Sequence, residues 1–154
     1  MMMCAVLATL GVAVAYLGVV DWRHRRIPNT VVLPSILSAV VAACVWQPSA
    51  LVGGAVWWLL FSFFHQRSVK NRHEGSGAPG QYFGGGDAKF AAVCGILAAW
   101  HGLGWVLLAI GTSGVLTTGG IMIQDRARKA PPHRAVAMGP AMVLGTLLAF
   151  AVSL

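Results

Sequence analysis

The positive charges of this chain are clustered, and the clusters alternate with uncharged breaks. All eleven lysines and arginines fall in three segments: Arg23, Arg25 and Arg26; Arg67, Lys70, Arg72 and Lys89; and Arg126, Arg128, Lys129 and Arg134. Between them the apolar sequence is broken again without a lysine or arginine, around residues 47–50 and at His101-Gly102. A helix that spans a bilayer needs about 20 largely apolar residues. Cutting at the five breaks leaves six such candidates, over residues 3–20, 30–46, 50–66, 84–100, 103–123 and 135–154, with a polar loop at 67–83. The third and fourth reach spanning length only by borrowing flanking polar or glycine residues.

Composition points the same way. The chain is 57% hydrophobic and 10% charged, with a mean hydropathy of +0.73, whereas a soluble domain carries roughly 25% charged residues. Too few polar groups remain to solvate a globule. The expected fold is all-α: a polytopic membrane helix bundle of six transmembrane helices, forming one membrane-embedded domain over residues 1–154. The positive-inside rule puts the basic loops in the cytoplasm and both termini outside. Trp46, Trp100 and Trp105 then fall at outer helix ends, as interfacial aromatics do. The net charge of +7 is thereby explained by topology, with no nucleic acid partner.

Ala13-Val14-Ala15 imitates a signal cleavage site, but no positive residue precedes the first run and Arg23 follows it, the charge order of an N-outside anchor. Cys4, Cys44 and Cys94 form no CxxC pair and are expected to be buried free thiols. His24, His65, His73, His101 and His133 lack metal-ligand spacing, so no metal or other cofactor is expected.

Only four acids occur. Glu74 and Asp125 sit among basic loop residues, whereas Asp21 and Asp87 each adjoin an apolar run, and the topology puts both on the cytoplasmic side. Packed side by side, the first and fourth helices would bring these carboxylates to one depth. Two close carboxylates in a poorly hydrated site share one proton. That is the state in which one acid activates a water and the other protonates a carbonyl oxygen. Gly84, Gly85 and Gly86 before Asp87 permit close approach of a substrate backbone; the alternative is a flexible lead-in to a helix. Lys89 is either a snorkelling inner-face anchor or a partner that tunes the acids.

Three segments carry a resemblance. Asp21-Trp22-Arg23-His24-Arg25-Arg26-Ile27-Pro28-Asn29 resembles the D-x(5)-I-P-N segment of type IV prepilin peptidases, and Gly84-Gly85-Gly86-Asp87-Ala88-Lys89 resembles their G-x-G-D-x-K. Met138-Gly139-Pro140-Ala141-Met142-Val143-Leu144-Gly145 is similar to the segment that opens their last helix. The resemblance implies an integral membrane aspartyl endopeptidase of a prokaryotic inner membrane. Such an enzyme removes the short basic leader of pilin-like precursors at the cytoplasmic face, in type IV pilus or related secretion systems. It implies Asp21 and Asp87 as the catalytic pair. Ile27, Pro28 and Asn29 would shape the start of the second helix, Pro28 in its first turn and Asn29 or Thr30 as cap. Gly139-Pro140 would start or kink the sixth. Many bacterial members carry a CxxC-bearing insert associated with zinc and N-methylation; this chain lacks it and instead resembles the short tight-adherence and archaeal preflagellin forms. Its Gly85 replaces a bulkier residue usual at that position.

Glycine, serine and proline in the 67–83 loop oppose helix, and the loop is read as either a gate to the site or a plain connector. Ala91, Gly95 and Ala99, and likewise Ala141, Gly145 and Ala149, recur every four residues and form small faces for helix packing. Two non-protease readings remain: a small transporter, for which neither an intramembrane charge nor a repeat is visible, and a non-enzymatic assembly subunit of a pilus or secretion machine. The oligomeric state is not encoded in any pattern here.

Overall fold

The structure is a computed structural model that describes residues 2–24, 27–73, 85–127 and 138–152. Among these residues there is no strand. The elements are α1 (Met2–His24), α2 (Asn29–Trp46), α3 (Ala50–His73), α4 (Gly85–Ala98), a 3-10 turn (Ala99–His101), α5 (Leu103–Ala127) and α6 (Gly139–Val152). By length and composition, Met2–His24, Asn29–Trp46 and Leu103–Gly120 can each cross a membrane, and Gly139–Val152 is a shorter apolar helix.

The helix ends follow local chemistry more closely than they follow charge. α3 continues through residues 67–73, which the sequence assigned to the loop. Arg67, Lys70 and Arg72 are good helix formers, and no glycine intervenes before Gly75, so polarity alone does not stop the helix. The remainder of that loop, 74–83, lies outside the described residues, as does any gating by it. Pro28 precedes α2 and is not part of its first turn: its φ of −70° and ψ of 123° are extended, and its carbonyl accepts from the N–H groups of Val31 and Val32 at 3.1 and 3.2 Å. No side chain caps that helix. α4 gives way to the 3-10 turn, and the reversal into α5 passes through Gly102 at φ +137°, a conformation closed to side-chain-bearing residues. α6 is helical from Gly139, with Met138 outside it.

α4 is the central helix. Phe90, Ala91, Val93, Cys94, Ile96, Leu97 and Ala98 are all buried, and every other helix touches α4. Its 14 residues rise about 21 Å, and the 3-10 turn adds about 6 Å, so the two together approach the ~30 Å of a hydrocarbon core. The tightest pair is α3 with α4, because backbone meets backbone there. A Cβ on Gly95 would lie 2.5 Å from the carbonyl oxygen of Gly53, and one on Gly53 would collide with the Cβ of Ala99. On α6, a Cβ at Gly145 would lie 2.6 Å from the carbonyl oxygen of Ala109 on α5. Both small-residue faces are therefore buried in helix contacts.

The outside of the bundle is as apolar as its inside. Val115 is 73% exposed and Leu107 71%, and Val12, Leu37, Val41 and Leu144 also point outward. A surface of that kind is stable in lipid and not in water. The cysteines divide accordingly: Cys94 is buried, but Cys4 and Cys44 face outward, because the apolar exterior accepts a thiol as readily as the core does. Trp100, in the 3-10 turn that follows α4, is buried and packs with the core.

Candidate active site

Four helix ends gather at one end of the bundle. Asp21 lies in the last turns of α1 and is buried, at 3% exposure. Its Oδ2 accepts a hydrogen bond of 2.9 Å from the backbone N–H of Gly139, the first residue of α6. That N–H is one of the donors that a helix leaves unpaired at its start, and the positive end of the helix dipole favours an anion there. The contact is close because Gly139 has no side chain: a Cβ would lie 2.7 Å from Asp21 Oδ2 and 2.9 Å from Asp21 Cβ. One turn earlier, Gly18 admits Val143 of α6 in the same way, at 2.6 Å from the position of an added Cβ. Pro140 occupies the second position of α6, where a missing N–H costs no helical bond.

The second half of the site joins α2 to α4. Ile27 packs on Gly86, whose Cβ position would be 3.4 Å from that of Ile27. Two residues beyond Ile27 and three beyond Gly86, Lys89 Nζ donates to Asn29 Oδ1 at 3.3 Å. Asn29 thus faces α4 and does not cap its own helix. Asp87 stands between these two contacts, half-buried in the first turn of α4, where an acid complements the dipole. Gly85 is the first residue of α4, and Gly84 lies outside the described residues.

Asp21 and Ile27 are six positions apart, and one sits on the start of α6 while the other sits on the start of α4. α1 and α4 also touch directly. Asp21, Ile27, Asn29, Gly86, Asp87, Lys89 and Gly139 consequently share one end of the bundle, and Trp46 and Trp105 lie at the other. Among the described residues, no group of three or more His, Cys, Asp or Glu could hold a metal ion.

A family model, Peptidase_A24, the type IV leader peptidase family, matches residues 8–123. The chain belongs to the type IV leader peptidase family. The matched region contains Asp21, the Ile27-Pro28-Asn29 segment and Asp87, and stops short of Gly139. No curated protein and no solved structure matches the chain. Family membership makes the chain a leader peptidase-like protease, and with the apolar helices it indicates an integral membrane protein.

The sequence reading of Gly139-Pro140 as a start or kink of the sixth helix does not include the role of Gly139 as the donor facing Asp21. The available signal was a Gly-Pro pair opening a helix on the same side as an acid. Gly18 was likewise unmarked, because a single glycine in an apolar run looks the same whether it meets lipid or another helix.

Proposed function

We propose that this chain is a membrane aspartyl endopeptidase that cleaves the leader of type IV pilin-like precursors, with Asp21 and Asp87 as its catalytic carboxylates. The observation that carries the reading is the gathering of the Asp21 turn, the Asp87 turn and the Gly139 helix start at one end of the bundle, in a chain of the leader peptidase family. The domain is the whole chain, 1–154, with six spans, both termini outside and the site at the cytoplasmic face of an inner membrane. The alternation of basic and uncharged loops supports this orientation.

In this mechanism the two acids hold one proton between them. The ionised carboxylate takes a proton from a water as its oxygen attacks the scissile carbonyl, while the protonated carboxyl donates to the carbonyl oxygen. Collapse of the tetrahedral intermediate breaks the C–N bond as the first acid gives its proton to the leaving amine and the second recovers its proton from a hydroxyl of the diol, so each acid finishes as it began. Gly86, lacking a side chain beside Asp87, lets Ile27 lie close against the catalytic turn. Lys89, held by Asn29, keeps a positive charge near the pair without replacing either acid.

Processing of a co-expressed pilin-like precursor, followed by its shift in electrophoretic mobility, tests the reading. Asp21→Asn and Asp87→Asn are each expected to abolish cleavage while the protein still inserts; normal processing by either variant would leave a non-enzymatic assembly role. With no CxxC motif in the chain, the mature terminus is expected to remain unmethylated by mass spectrometry.

A further inference from the structure

A groove of about 260 Å³ opens on the flank of the bundle between α2 and α3. Ile36 and Val40 form one wall, Ala55 and Trp58 the other, and Lys89 and Ala92 of α4 lie along the floor. α2 and α3 are joined through residues 47–49 alone, yet they touch each other sparingly and rest mainly on α4. The groove reaches Leu51, just beyond that turn, and carries Lys89 at its other end. Among its lining residues only Lys89 is charged, and Lys89 lies two positions beyond Asp87. The groove begins where the candidate catalytic turn ends.

We propose that this groove seats the apolar membrane segment of the precursor, laid against α4 so that the bond on its cytoplasmic side reaches Asp87. The inference rests on the peptidase reading above. Three features select this occupant. The volume is smaller than the roughly 300–1,000 Å³ that encloses a small ligand, so it fits one face of a helix and not a whole molecule. Ala55 and Ala92 are small enough for a helix backbone to come close, which is how helices associate in lipid. From Lys89 to Ile96, both lining residues, α4 rises about 10 Å. Over that depth the groove offers only hydrocarbon, and the ammonium of Lys89 marks the level at which an apolar segment must end and polar backbone begin. The groove thus fixes the depth of the scissile bond.

The contrasting surface is a groove of about 240 Å³ between α3, α5 and α6, which carries Ser113, Thr117 and Thr118 and no charge. The test uses the full chain in membranes and a probe precursor made of a Lys/Arg-rich leader joined to a Leu/Ala segment of about 20 residues. With a benzophenone-bearing residue in place of Ala55, photolysis is expected to join the enzyme to the Leu/Ala segment; the same residue in place of Thr118 is expected to give no such product. Ala55→Leu, which fills the groove from its exposed side, is expected to raise KM for the probe about tenfold with kcat unchanged. The same variant should cleave a peptide truncated just after the junction as the parent does. Cross-links to lipid alone, equal products from both positions, or an unaltered KM would each overturn the groove. A site-specific product from position 55 without any cleavage by the parent chain would uphold the groove and overturn the peptidase reading.

Discussion

At Gly139 the missing side chain and the adjacent acid are a single arrangement, since the space a Cβ would take is held by the Asp21 carboxylate. Gly139→Ala forces that carboxylate off its 2.9 Å hydrogen bond or pushes α6 away from α1. Displacing a catalytic group by about 1 Å can lower a rate by about 100-fold, and overpacking costs about 1–3 kcal/mol. Gly139→Ala is therefore expected to lose precursor processing by at least about 100-fold and to unfold at lower denaturant in detergent; normal processing would show that Asp21 needs no fixed seat. The Asn29–Lys89 contact is of a different kind. It is long, at 3.3 Å, and exposed, so its removal by Asn29→Ala is expected to change unfolding free energy by less than about 1 kcal/mol in the same titration.

Helix pairing depends on where glycines face, and here the structure separates glycines that look alike in the sequence. Gly95 meets the backbone of Gly53 and Gly54, whereas Gly111 and Gly114 of α5 have nothing within 4 Å of an added Cβ. Gly95→Ala is expected to lower stability by about 1–3 kcal/mol, and Gly111→Ala to leave it unchanged or raise it by up to about 1 kcal/mol through helix propensity, both read from thermal unfolding in detergent. The four-residue spacing of Ala91, Gly95 and Ala99 made a packing face legible, because a period near that of the helix turn reveals a stripe. It could not name α3 as the partner, since lipid and protein are equally apolar neighbours and the exterior therefore carries no contrasting polar stripe. The same lack of contrast hid Gly18. Helix boundaries were legible where backbone chemistry changed, as at Gly102, and were misplaced at residues 67–73, where only charge changed. Asp21 and Asp87 stood out in the site for the opposite reason: carboxylates beside apolar runs are costly, so each needs a local cause.

For the whole molecule the decisive quantity is the asymmetry of charge between the two ends of the bundle. The end bearing Asp21 and Asp87 also bears Arg23, Arg67 and Lys89, and the reversals at residues 47–49 and at Gly102 carry no lysine or arginine. Positive loops are retained in the cytoplasm because moving each such charge across the bilayer against the membrane potential costs about 2.3 kcal/mol per 100 mV. In the proposed orientation the uncharged reversals and both termini lie outside, and a substrate leader carrying lysine or arginine would meet the site from the side on which it is synthesised. Alkaline phosphatase, which folds only outside, is expected to be active when fused after Gly102 or after Leu154. Green fluorescent protein, which matures only inside, is expected to fluoresce when inserted between His73 and Gly85. Activity from alkaline phosphatase inserted at that same point instead would put the two acids on the far side of the membrane from any leader, and a cytoplasmic leader peptidase could not then be built on them.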